Sequence, residues 1–445
     1  MKNKGLYRPL LAIAFALSLT CLFSQDRNVM YVHGLGENAG TWDTYDALFD
    51  AERQHDGRSP GFTDGSGVAA MATSVSTGTN TSFPSSSGPN TLNIGIGHSM
   101  GGLAVREVDR TRTGTIQRFG AMVTVGSPNN GAQIINSIRD GSVTDAMEDA
   151  CEKLSAGPLS EIPGMVGVFV SGVGNDVICS ILSDELLDGI FTNAVAGPSE
   201  DDMVVGSPFL TTLNGSAPNV PAISIWGNEN SPVHWRVLSS LDTDNASDTK
   251  YVEIANLMRN VYNGFYIFHL SKAIVGGFLG FWNPAAWAAA ALNAWQAAQW
   301  HKGKKWFDRS EGTWNGLTGC TATEMDITIT YTTSAYWSFC SCFFTGTAEW
   351  QNCVNAYCPN GISNCLQEVS YNQTVIVNDK SDGLLCDQTQ LIGGLTGGDI
   401  YEARGVNHSE ETNTTNGTTD DGSDVIGDTF RLIWNRDDIF GIPPR

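Results

Sequence analysis

Along this chain, short runs of apolar residues alternate with longer stretches in which apolar positions recur at helical spacing. The apolar runs predict strands at Asn28–His33, Leu92–Ile96, Phe119–Val125, Pro221–Trp226, Gln373–Asn378 and Ile400–Ala403. Strands separated by helical stretches imply a mostly parallel sheet covered by helices on both faces. Two segments exceed what such a sheet needs. The first, about 133–202, is helical and apolar and reads as a lid. The second, about 232–371, has a composition of its own and reads as a cap insertion. The cap opens on Ala273–Leu292, which has the length of a membrane span. Its glycines, Asn283 and Pro284 interrupt that run, and Asn-Pro is a helix start signal, so two helices meeting at Asn283 are expected. Membrane insertion of this stretch stays open. From Glu410 to Asp424 the chain has almost no apolar residue and reads as a surface loop.

Composition narrows the picture. With 41% hydrophobic residues over 445, the chain can bury a sizeable core. Its 25 basic against 47 acidic residues give a formal net charge of -22, which argues against nucleic acid as a partner, because phosphate contacts need a basic face. Lys2, Lys4 and Arg8 precede the apolar run Leu10–Leu22, so residues 1–24 read as a signal peptide and the mature chain, 25–445, as secreted or periplasmic. Losing Cys21 with that leader leaves nine of the 10 cysteines, so at least one thiol is free or pairs outside the chain. Cys320, Cys340, Cys342, Cys353, Cys358, Cys365 and Cys386 lack paired Cys-x-x-Cys spacing. In an oxidising compartment they read as disulfides stapling the cap rather than as a zinc site.

The chemistry centres on Gly97-His98-Ser99-Met100-Gly101. It lies between a strand-like run and the helical Gly102–Arg106, which predicts a sharp turn that lifts the Ser99 hydroxyl above the sheet. Glycines flank the serine because a side chain there would strike the neighbouring strand or helix. A nucleophilic serine needs donors for the oxyanion of its tetrahedral intermediate. The residue after the nucleophile, Met100, and Leu35 in Val32-His33-Gly34-Leu35-Gly36 are the candidates. His33 reads as orienting that loop, and His98 as packed. A base must follow, from His234, His269, His301 and His408; His408 is favoured because it lies on the loop after the last strand-like run. Three carboxylates compete as the acid: Glu229 after the Pro221–Trp226 strand, and Asp379 and Asp382 after Gln373–Asn378. Asp382 is favoured because Gly383 permits a tight turn, Leu384-Leu385 can anchor it, and Cys386 offers a tether to a cap cysteine such as Cys320.

These motifs occur in one order: Val-His-Gly-Leu-Gly at 32–36, Gly-His-Ser-Met-Gly-Gly at 97–102, Thr-Val-Gly-Ser-Pro-Asn-Asn-Gly-Ala at 124–132, Ser-Asp-Gly-Leu-Leu at 381–385 and Asn-His-Ser-Glu at 407–410. In them the chain resembles secreted bacterial triacylglycerol lipases and esterases over about half its mature length, excluding 232–371. The resemblance implies an α/β-hydrolase fold for the sheet and its catalytic loops, to which the helical lid and the disulfide-stapled cap read from this chain's own composition are added. It implies Ser99 as nucleophile, Asp382 as acid, His408 as base, and Leu35 and Met100 as oxyanion donors. It also implies a serine ester hydrolase acting on lipid or other esters and needing no cofactor. Many of these lipases hold a structural calcium through an Asp two residues past the catalytic His; Glu410 stands there in this chain, which does not favour calcium. Trp282, Trp287, Trp295, Trp300 and Trp306 crowd one helical region, where they either pack within the cap or touch a lipid surface transiently.

Overall fold

The computed structural model describes residues 28–53, 56–59, 61–62, 66–83, 93–112, 117–146, 149, 197–229, 294, 298, 302, 305, 309–320, 322–334, 348–357, 366–378, 380–414, 425–434 and 436. The expected signal peptide, residues 150–196 of the expected lid, the five clustered tryptophans, the apolar stretch at 273–292, His234, His269, His301 and Asp379 lie outside them. Among the described residues no helix is long and apolar enough to cross a membrane.

The chain divides into two compact units, Met1–Thr321 with Asp379–Arg445, and Ala322–Asn378. The larger unit carries β1 (Asn28–Val32), β2 (Asp56–Arg58), β3 (Ile94–His98), β4 (Ala121–Val125), β5 (Ala222–Asn228) and a late strand, Ile400–Arg404. The smaller unit pairs β6 (Ala322–Ser334) with β7 (Leu366–Asn378) in one antiparallel ladder from Ala322↔Asn378 to Ser334↔Leu366, with a helix at Ala348–Tyr357 between them. The late strand is therefore β8, and the sheet order is β2-β1-β3-β4-β5-β8, every neighbouring pair parallel.

The sequence pattern explains this sheet. β1, β3 and β4 are buried almost throughout, so both faces must be covered, and alternate residues go to opposite layers. Val29, Tyr31, Val123 and Ile225 join a core with Trp42, Tyr45 and Phe49, supplied by α1 (Asp43–Arg53) and the turn before it, and with Phe430 and Trp434 of the C-terminal helix Val425–Trp434. Met30, Val32 and Met122 face the other way, onto α2 (Val68–Ser82) and α3 (Met100–Arg110). Gly95 lets α3 approach closely, since a Cβ there would come 2.7 Å from Val105 Cγ1. β3 ends at His98 and α3 begins at Met100, leaving Ser99 alone in the turn at φ 51° and ψ -127°. It is the only non-glycine residue with positive φ among the described residues. A parallel sheet with helices on both faces and a strained strand–serine–helix turn is the α/β-hydrolase fold.

Several expectations shift. β3 begins at Ile94 rather than Leu92, and β4 at Ala121 rather than Phe119, while β5 runs on to Asn228. The run at Gln373–Asn378 is strand, but it belongs to the smaller unit's antiparallel pair and not to the parallel sheet. Its partner, Ala322–Ser334, is rich in Thr and carries two acidic residues, which hides it from a search for apolar runs. The loop from Glu410 does not begin at the surface: Glu410, Glu411, Thr412 and Thr414 are buried, the two glutamates beside the His408 loop and the two threonines bonded to Thr44. The smaller unit, Ala322–Asn378, starts and ends later than the cap read from composition.

Cys320 and Cys386, both in the larger unit, form a disulfide 66 residues apart in sequence and join the chain just before and just after that excursion. Cys353 also enters a disulfide. Closing a loop of this length removes denatured-state freedom worth about 4 kcal/mol. A Cys320→Ala/Cys386→Ala double variant is expected to lose up to about that much stability in urea unfolding. An unchanged midpoint would show that the bridge contributes nothing.

Candidate active site

Ser99 owes its position to glycines that allow three backbones to meet. A Cβ on Gly97 would lie 2.4 Å from the Gly101 carbonyl, one on Gly101 2.4 Å from the Val32 oxygen, and one on Gly102 1.9 Å from Ser127 Oγ. The Ser99 N–H donates to the Val125 carbonyl at 2.9 Å, which ties the turn to the end of β4. Such a conformation costs on the order of 1–3 kcal/mol and persists where the surroundings enforce it.

The loop after β1 runs against this turn: a Cβ on Gly34 would come 2.9 Å from the Ser99 Cβ. His33 is buried and fixes the loop's entry, its Nδ1 facing the Gly34 carbonyl at 2.9 Å while Nε2 accepts the Phe62 N–H at 3.3 Å. The Glu37 carboxylate accepts the Gly34 N–H. Leu35 packs, half-buried, on the core. Met100 is the first residue of α3, where backbone N–H groups have no acceptor within the helix.

Asp382 is fully buried on a turn that its own carboxylate organises. Oδ1 accepts the N–H groups of Leu384 (2.8 Å) and Leu385 (2.7 Å), and Gly383 takes φ +95° to make the turn possible. Trp314 Nε1 donates to the Gly383 carbonyl at 2.6 Å. The other oxygen, Oδ2, receives His408 Nδ1 at 2.8 Å, and the His408 N–H donates to the Asp382 carbonyl at 2.9 Å. On its far side His408 Nε2 stands 3.0 Å from Ser99 Oγ. Thus Ser99, His408 and Asp382 form one hydrogen-bonded line. Glu229 lies at the end of β5 and its N–H donates to the Ser381 carbonyl at 2.7 Å, holding the Asp382 turn from behind.

Burial alone would push the His408 pKa down, but the Asp382 carboxylate and its hydrogen bond outweigh that and raise it above 6.5. His98 is buried beside it. Its Nδ1 lies 3.0 Å from Glu37, and its Nε2 lies 3.0 Å from the His408 carbonyl and 3.3 Å from Glu411. Glu411 Oε2 is also 3.6 Å from His408 Nδ1. Neither Glu37 nor Glu411 was singled out in the sequence. Glu411 had one legible signal, a carboxylate three positions beyond the candidate base. Arg106 is buried too, and burial lowers its pKa to about 10; it holds Asn129 (2.9 Å) and Asn214 (2.7 Å), fixing the Ser-Pro-Asn-Asn loop.

Among the described residues, one group of metal-ligand type is found: His98, His408 and Glu411, whose ligand atoms lie within 4.8 Å of one another. Both ring nitrogens of His98 face oxygen acceptors and His408 Nε2 faces Ser99, so these atoms are engaged with protein. Glu410 turns its carboxylate onto the Asn407 N–H at 3.1 Å.

No protein-family model matches the chain, and no curated protein does. Solved structures match over part of it. An extracellular α/β-hydrolase from a Paenibacillus species is 14% identical over 45% of this chain and 76% of its own, with a TM-score of 0.26. A Bacillus licheniformis lipase is 12% identical over 46% of this chain and 66% of its own, at 0.29. Lipase B from Aspergillus fumigatus is 13% identical over 46% of this chain and 38% of its own, at 0.28. The fold itself follows from the strand order and the turn at Ser99.

Histidine titration by NMR is expected to place His408 above 6.5, and Asp382→Asn to lower that value by removing the paired carboxylate. Glu229→Gln is expected to leave it unchanged. The opposite ranking of the two variants would move the acid from Asp382 to Glu229.

Proposed function

We propose that this protein is a secreted serine hydrolase that cleaves carboxylic esters, lipid esters foremost, through an acyl-enzyme on Ser99. The observation that carries the reading is the continuous line from Ser99 Oγ through the His408 ring to Asp382, at 3.0 and 2.8 Å. Ser99 Oγ attacks the ester carbonyl carbon as His408 Nε2 takes its proton, and Asp382 stabilises the imidazolium so formed. The carbonyl oxygen becomes an oxyanion, for which the N–H groups of Leu35 and Met100 are the donors. Collapse breaks the bond to the alcohol oxygen, which leaves with the proton from His408. Water then attacks the acyl-enzyme, His408 again taking and returning a proton, and the carboxylic acid departs with Ser99 restored. Beyond the ester and water, every step uses groups of this chain.

Secretion is supported by the basic start, the apolar run that follows it and the disulfide at Cys320–Cys386. The lipid preference, and transient contact with a lipid surface, rest on the tryptophan-rich segment from Trp282 to Trp306.

A p-nitrophenyl ester series from acetate to palmitate, run beside matched p-nitroanilides, tests the reading. Esters should be hydrolysed in preference to anilides, with medium and long acyl chains favoured, and Ser99→Ala should lower kcat by about a thousandfold or more. Because His408 must be neutral to accept a proton, kcat/KM should fall as pH drops through an apparent pKa above 6.5. Anilide cleavage alone would make the protein an amidase, and full activity of Ser99→Ala would end the proposal.

A further inference from the structure

His98 touches no reacting atom, yet its surroundings are unusual for a buried imidazole. Neutral imidazole has one N–H donor and one lone pair. Here both ring nitrogens face acceptors: Nδ1 faces the Glu37 carboxylate at 3.0 Å, and Nε2 faces the His408 carbonyl at 3.0 Å and Glu411 Oε2 at 3.3 Å. A neutral ring would turn a lone pair onto one of these oxygens, so the geometry calls for protons on both nitrogens.

Glu411 points to the same state from the other side. It is fully buried, and neither of its oxygens has a hydrogen-bond partner. It sits in a notch that only glycines leave open: a Cβ on Gly126 would lie 1.6 Å from Oε2, and one on Gly227 2.3 Å from Oε1. The positive charge within reach is that of His98, with His408 Nδ1 next at 3.6 Å. A buried carboxyl group without donors either keeps its proton or stands beside a cation, and His98 is the cation placed to let Glu411 ionise.

The three backbones involved are those that a Ser99 nucleophile needs fixed. His98 is the last residue of β3, next to Ser99 itself. Glu37 holds the Gly34 N–H of the loop after β1. The carbonyl that His98 Nε2 meets belongs to His408. We propose that His98 is held permanently as an imidazolium and serves as a positioning residue, locking the oxyanion loop through Glu37 and the His408 loop through its carbonyl and Glu411. The positioning half of this rests on the ester-hydrolase reading; the charge state does not.

The charged groups around the ring agree. Burial opposes charge on His98, but Glu37 and then Glu411 raise its pKa to about 10. Burial likewise opposes charge on Glu37, while His98 and the Gly34 N–H bring it down to about 2. For Glu411, burial and the Asp382 charge outweigh His98 and His408 and lift it to about 7. The ring thus keeps its protons at neutral pH.

Side-chain nitrogen NMR on the intact protein reads the charge directly, with His98→Gln identifying the signal. At about pH 9, well above the ordinary histidine range, one ring should still carry protons on both nitrogens, and its signal should vanish in the variant. If every ring is neutral there, the proposal fails, whatever the protein's activity. The positioning role is read by kinetics on Glu37→Gln, which keeps an acceptor for the Gly34 N–H but removes the charge. Its kcat should fall about tenfold to a hundredfold with KM changed less than about threefold, because a loop shift of about 1 Å costs the transition state and not ground-state binding. A charged ring with unchanged kcat would reduce His98 to a structural ion pair and overturn the positioning role. Absence of ester turnover in the parent protein would instead defeat the ester-hydrolase reading.

Discussion

The backbone at Ser99 is the constraint on which the rest of the molecule depends. A residue with a side chain stands at φ 51°, a conformation that costs on the order of 1–3 kcal/mol and relaxes unless it is enforced. Enforcement comes from β3 on one side, α3 on the other, and the Ser99 N–H bonded to Val125. Those elements approach closely only because Gly97, Gly101 and Gly102 carry no side chain where backbone or Ser127 already stands. Buried β-strands and an amphipathic α3 then hold the strain with core packing spread over both faces of the sheet. Local cost is carried by global burial.

All five pairings in the sheet are parallel, so the C-terminal ends of its strands share one edge. β1 delivers His33–Glu37 there, β3 delivers Ser99, β4 the Ser127–Asn130 loop, and β8 leads into His408. Asp382 reaches the same edge by a detour. Asp382 does not follow a strand of this sheet, yet the Glu229 N–H at the end of β5 holds the neighbouring Ser381 carbonyl. That bond puts the Asp382 turn against the end of β5, where Glu229 also lies. The chain spends the interval on other segments, the Ala322–Asn378 unit among them, before returning to that place.

That detour explains what was legible in the sequence. Position along the sheet pointed to Glu229 and local turn chemistry to Asp382, and the two cues converge on one spot in space, which no linear reading reveals. The line of Ser99, His408 and Asp382 was legible because strained turns demand particular residues: glycines around Ser99, Gly383 after Asp382. The Cys320–Cys386 tether was legible from proximity to that turn. The Thr-rich β6 was not, because it holds no continuous apolar run; its signal is the period-2 alternation of Met325, Ile327, Ile329 and Tyr331 with polar residues, and β7 was misplaced with it. Glu37 and Glu411 stayed hidden because their role depends on burial around His98, a long-range property that neighbouring residues do not announce.

If the Ser99 turn exists to present a nucleophile, its hydroxyl should be far more reactive than any other in the chain. The direct measurement is intact-protein mass after exposure to a fluorophosphonate, followed by peptide mapping. The account predicts one adduct, on Ser99, formed quickly by the parent protein and absent from Ser99→Ala and from protein unfolded in urea. A label elsewhere, or equal labelling of Ser99→Ala, would contradict it.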